Sequence, residues 1–182
     1  LEGEQANLVN ERIQSLKKRI KAQATPVPSF DTKAIRATMV AGQRLKAWQM
    51  AQDGLAKAPS EPELLAIQGE LTTYSPLYPP LSAALREGNW ESLRQLSGRM
   101  RQDHPDDGEL GRVWAVATYN LAVTSLRKYQ VAPANSLLGE LIKLGDDPSA
   151  VKLQQFARSY LSRPADPRYD IFVNNIELRK VE

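Results

Sequence analysis

The chain has 182 residues, 42% of them hydrophobic and 25% charged, enough for one domain with a substantial core. Its net charge of +3 sets 24 basic groups against 21 acidic ones, dispersed along the chain, which argues against the concentrated basic face of a nucleic-acid binder. No cysteine is present, so disulfides, thiolate metal sites and cysteine nucleophiles are excluded, and no stretch approaches the roughly 18 apolar residues a membrane span needs. Leu, Ala, Gln, Arg, Lys and Glu fill most of the length, and the expected class is all-α. The chain begins at Leu1 and shows no signal peptide, which reads as a processed or trimmed piece. Its compartment stays open: cytoplasmic, or the periplasmic or cytoplasmic face of a membrane-anchored parent.

Residues 1–24 read as a polar helix with a narrow apolar seam. Ala6, Val9, Ile13, Leu16 and Ile20 alternate in steps of three and four, the pattern of a coiled coil, so Val9, Ile13, Leu16 and Ile20 are candidate dimer contacts. The alternative is a helix that lays this stripe on the next domain. The basic run Lys17-Lys18-Arg19 with Lys21 shares that helix with Glu2, Glu4 and Glu11 and reads as solvated surface. Residues 25–30 form a linker, because Pro26 and Pro28 remove backbone donors and force extended backbone.

Residues 31–162 carry regular helical signals. Asp31 is a candidate N-cap for a helix with Ile35, Met39 and Val40 on its face, ending at Gly42. The next helix puts Leu45, Trp48, Ala51 and Leu55 on one stripe and stops before Pro59. Ser60 and Glu63 have capping-box spacing around Pro62, opening a helix with Leu64, Leu65, Ile67 and Leu71. After the proline-rich Ser75–Pro80, a short helix over Leu81–Arg86 ends at Gly88, and Trp90–Arg101 follows with Leu93, Leu96 and Met100 inside. His104–Gly108 is a turn by composition. A long helix spans about Glu109–Lys128, with Leu110, Val113, Trp114, Ala117 and Leu121 on its face. Pro133–Leu144 is helical with Gly145 as C-cap, and Asp147-Pro148 opens a last helix to about Leu161.

Punctuation repeats along this region. Gly42, Ala47 and Pro59 recur 46 residues on as Gly88, Leu93 and Pro105, and a third terminating proline is Pro148. Together with Trp90 after Gly88, and with Gly69 inside a first helix, these residues make the region resemble a tetratricopeptide repeat protein, whose helix pairs recur every ~34 residues. Departures from that pattern are the longer spacing, Arg44 where the family has an aromatic, Leu93 for a small residue, and Gly54 and Met100 where it prefers alanine. The resemblance implies antiparallel helix hairpins stacked as an α-solenoid, with partner segments held along an inner groove by the first helix of each pair. Carrying the register over from the terminal prolines places Arg36, Glu70, Thr73, Arg112, Tyr119 and Asn120 near that groove. Arg112 and Asn120 would there fix a peptide carboxylate or backbone. Another α-solenoid or an irregular bundle remains the alternative architecture.

Residues 163–182 change character. Tyr169, Ile171 and Val173 alternate, and Ile176, Leu178 and Val181 nearly repeat this after Asn174-Asn175, which suits a small β-hairpin or an extended tail packed on the last repeat.

Catalytic signals are absent from the sequence. His104 is the only histidine and lies, with Asp103, Asp106 and Asp107, in a proline- and glycine-punctuated turn where aspartate serves as a helix cap. Dinucleotide, phosphate-loop, nucleophile-elbow and zinc-protease motifs do not occur. Trp48, Trp90 and Trp114 sit on helical stripes and read as packing. No cofactor or metal is expected. The expected role is a protein-binding scaffold, part of a larger and possibly membrane-anchored bacterial assembly. The alternatives are a homodimeric spacer built on the first helix and a nucleic-acid-associated regulator.

Overall fold

Aspartate and asparagine caps set most helix starts. The computed structural model describes residues 12–17 and 30–181, and the described residues contain helices and no strand. Residues 12–17 are helical (α1). There follow α2 (Thr32–Val40), α3 (Arg44–Lys57), α4 (Pro62–Tyr74), α5 (Tyr78–Glu87), α6 (Trp90–Asp103), α7 (Gly108–Arg127), α8 (Val131–Ile142), α9 (Pro148–Ser159) and α10 (Pro167–Asn174). The side chains of Asp31, Asn89, Asp107, Asp147 and Asp166 each accept from backbone N–H groups of the turn they open, satisfying donors a helix start leaves free. None of the described helices is long and apolar enough to cross a membrane.

Three local expectations need correction. The capping box of Ser60 and Glu63 does not form: the N-cap of α4 is Glu61, with no side-chain cap bond. Pro62 is the cause, because it holds the residue before it in extended backbone, and Glu61 sits at φ −67°, ψ 111°. Gly145 is not the C-cap of α8. That helix ends at Ile142, where Lys143 N–H donates to the Gly139 carbonyl and Leu144 N–H to that of Leu141, tightening the last turn before the glycine is reached. Pro79 and Pro80 do not delay α5 until Leu81. They lie in its first turn, where a missing N–H costs nothing, and Tyr78 begins the helix.

The tail is also corrected. Residues 167–174, expected in a β-hairpin or extended, are helical, and Tyr169 and Val173 are the two that α10 buries. Four residues apart, they share one helical face. Asp166 accepts from Arg168 and Tyr169 N–H at 2.9 and 3.0 Å, and Pro167 fits the first turn, so a cap decides the conformation against β-propensity. Residues 176–181 lack regular structure.

The 46-residue period of the sequence recurs in the helices. Thr32 and Tyr78, Arg44 and Trp90, and Pro62 and Gly108 open α2 and α5, α3 and α6, and α4 and α7 at that offset. Gly42 and Gly88 both turn with positive φ, 77° and 65°, a conformation that costs a side chain about 1 kcal/mol. Burial repeats as well: Ile35 and Leu81, Ala47 and Leu93, Leu64 and Leu110, and Ile67 and Val113 are all core residues. The shared offset joins α2–α4 to α5–α7, three helices each, and does not continue into α8, which starts at Val131.

Two apolar clusters form the core. One gathers residues of α2–α6 with the first half of α7, up to Ala117; the other gathers the second half of α7, from Tyr119, with α8–α10. Packing follows the chain: α3 lies against α2, α4 and α5, α6 between α5 and α7, and α7 against α6, α8 and α10. The twenty residues of α7 therefore serve both clusters.

Candidate functional site

The second half of α7 carries polar side chains where the last segment of the chain crosses it. Asn120 is fully buried. Its amide donates to the Arg179 carbonyl at 2.8 Å, and its carbonyl accepts from Arg179 N–H at 2.8 Å. One side chain thus pairs with both backbone groups of one residue in an extended segment, as a neighbouring strand would. About two turns along α7, Arg127 donates to the Ile176 carbonyl at 2.6 Å.

The Arg179 side chain has its own seat. Its guanidinium donates to both Asp147 oxygens, at 2.6 and 2.8 Å, and lies 3.6 Å from the centre of the Tyr119 ring. Asp147 is held from behind, since it caps α9 by accepting from Ala150 N–H at 3.0 Å. The bond from Arg179 holds the Asp147 carboxyl below its ordinary value, and the same bond raises Arg179. Planar, bidentate and stacked, this geometry suits arginine and not lysine.

Beyond Arg179, Val181 reaches the first cluster and lines a cavity of about 250 Å³ with Leu45, Lys46, Gln49, Leu85 and Glu109. Contacts at Arg127, then Asn120, then beside Glu109 show that the tail runs opposite to α7, from the second cluster to the first.

A buried polar node lies at the near end. Asp107 caps α7, accepts from Arg44 Nη1 at 2.9 Å and accepts from the Tyr74 hydroxyl at 3.0 Å. The Arg44 guanidinium covers one Tyr74 face and His104 stacks on that ring, with Nε2 2.9 Å from the Tyr74 carbonyl. Glu109 accepts from Leu45 N–H at 2.9 Å, capping α3 from another helix, and burial pushes its carboxyl above the ordinary value. His104 and Asp107 thus do the capping and turn work their sequence context suggests. Among the described residues, no group of three or more histidine or acidic side chains is placed to hold a metal.

The six expected groove residues divide. Tyr119 and Asn120 meet at the tail. Arg36 and Glu70 meet each other at 3.1 Å, with Glu63 also on Arg36 at 3.2 Å, an ion-paired surface between α2 and α4. Thr73 turns its hydroxyl to the Gly69 carbonyl of its own helix, and Arg112 is exposed. Of the expected dimer seam, Ile13 and Leu16 are exposed on α1, whereas Val9 and Ile20 lie outside the described residues. Thr25–Ser29 of the expected linker also lie outside them.

Sequence reasoning missed Asp147 and Arg179 as a pair. Asp147 was legible only as a cap, and a contact across 32 residues leaves no local signal. Trp114 packs half-buried against the second cluster, in line with its place on a helical stripe. Its ring is flanked by the guanidinium groups of Arg94 and Arg101, at 5.4 and 5.2 Å, in an open surface hollow of about 710 Å³. Comparison with protein-family models, curated proteins and solved structures returns no match.

Proposed function

We propose that this chain works by binding, as a scaffold that holds segments of other proteins on its helical surface within a larger assembly. The observation that supports this most directly is Asn120, a buried amide spent on the backbone of an extended segment. Backbone pairing of that kind holds a peptide irrespective of side chain, and pockets beside it add selectivity. The 46-residue offset shared by three helix starts and the two positive-φ glycines support a repeat reading in which such surfaces are long, on a spacing that departs from the helix pairs of the tetratricopeptide family. Affinity capture from native extract with the full chain as bait tests the reading. A partner retained by the wild-type chain and lost with Asn120→Ala or Arg112→Glu is the expected result. Equal recovery of every protein with all three baits would sink it.

The exposed Ile13 and Leu16 of α1 favour a second reading, a homodimer through the first helix. Light scattering of the full chain against Ile13→Lys/Leu16→Lys decides it. A dimer mass that falls to the monomer value in the variant supports that reading, and an unchanged mass removes it.

A further inference from the structure

We propose that the face along α7 is a selective peptide groove, filled in the resting chain by its own Ile176–Val181 and opened by a partner's extended segment bearing arginine and, two positions later, an aliphatic or aromatic side chain. This rests on the scaffold reading and names the partner's chemistry.

The tail defines the pattern because it sits as a ligand would. Asn120 reads backbone at one residue, Asp147 and Tyr119 read the arginine side chain there, and Val181, two residues on, packs half-buried against the first cluster at the wall of the cavity it lines. Glu177 and Lys180, between the anchored positions, are exposed. Side chains held against the receptor and main chain in hydrogen bonds are features of a bound peptide, here with the adjacent Leu178 and Arg179 both half-buried. Charge also selects: Asp147 wants a cation, and only a guanidinium uses both carboxylate oxygens while sitting over the Tyr119 ring.

Two features make the tail an exchangeable occupant. Ile176, Leu178, Arg179 and Val181 are only half-buried and belong to no helix, so releasing them unwinds none. The cavity of about 250 Å³ that Val181 lines is open beside the valine, so a larger side chain at that position has room to extend into it. A competing segment with a larger side chain there gains contact area that the tail lacks. In cis the tail has the advantage of tethering, at an effective concentration of about millimolar for a short linker. The apparent affinity for a partner is then reduced by the fraction of chains whose groove is open.

The test uses the full chain and a fluorescent peptide of residues 174–182, followed by anisotropy. Arg179→Ala/Val181→Ser in the full chain weakens the tail, and helical circular dichroism verifies its fold. We expect this variant to bind the peptide about tenfold or more tightly than the wild-type chain does. Adding Asp147→Asn, which keeps a capping side chain but removes the charge, is expected to reverse most of that gain. A peptide with phenylalanine at the Val181 position should bind better than the parent, and one with lysine at the Arg179 position worse. Equal binding by wild-type and tail-weakened chains, or indifference to the peptide's arginine, would overturn the proposal. So would a wild-type dimer that dissociates when the tail is weakened, since the occupant would then be a second copy. Loss of peptide binding with Asn120-dependent capture retained removes this inference alone; loss of both removes the scaffold reading too.

Discussion

Asp107 caps α7, pairs with Arg44 of α3 and accepts from Tyr74 of α4, all from a buried position. Removing it strips a cap and leaves a guanidinium and a phenol without their acceptor. Asp107→Ala should destabilise the chain by about 2–4 kcal/mol in urea unfolding, whereas the exposed neighbour Asp106→Ala should change little. Glu109 and Asp147 give opposite pH responses. Burial raises Glu109 above 4.5 in the folded chain, so folding takes up a proton and stability from this group grows as pH falls toward 4.5. The Arg179 bond lowers Asp147 below 3.8, so its contribution is full above 3.8 and is lost as pH falls through the lower folded value. Urea midpoints between pH 7 and 3 should lose the first slope in Glu109→Gln and the second in Asp147→Asn. Tyr129 is the one non-glycine with positive φ among the described residues, at 59°. It stacks on Tyr169, and its hydroxyl donates to Asp170 at 2.8 Å, contacts that offset a conformational cost of about 1 kcal/mol.

Elements were legible in the sequence where a cap or a turn residue fixes them. Asp31, Gly42, Gly88 and Asp147 mark boundaries in the structure as they do in the sequence. The tail misled because Tyr169, Ile171 and Val173 alternate like a strand. The same residues satisfy a helix with Tyr169 and Val173 inward and Ile171 outward, 65% exposed. Asp166-Pro167 repeats the Asp147-Pro148 signal and was the clue to weigh. Asp166 also accepts from the Tyr160 hydroxyl at 3.1 Å, and Phe156 and Tyr160 pack against Tyr169. Asp166→Ala should therefore cost about 1 kcal/mol in thermal unfolding and loosen α10, with Asp166→Asn retaining most of the stability. Of the residues that hold the tail, Tyr119 and Asn120 were singled out in the sequence, through the tetratricopeptide register and for a partner's groove; their contact with this chain's own Arg179 depends on where a distant segment returns, which no local pattern encodes.

For the whole molecule, the shared helix is the decisive feature. Because α7 contributes Val113 and Ala117 to one core and Ala122, Val123 and Leu126 to the other, neither cluster closes without it. Ala117→Pro, at the junction, should cost about 3 kcal/mol or more and lower hydrogen-exchange protection at Trp48 and Leu138 alike. Protection lost on one side only would show two independent units. The tail adds a second tie, with Ile176 and Leu178 on one core and Val181 on the other.

That tie has a temporal side. Ribosomes build chains from the N-terminus at about 5–20 residues per second, so Ile176–Val181 emerges after every helix it crosses. For an interval during synthesis the α7 face stands bare, with no built-in competitor. On the groove reading proposed above, a client present at translation meets an open face, and one that arrives later must displace the tail.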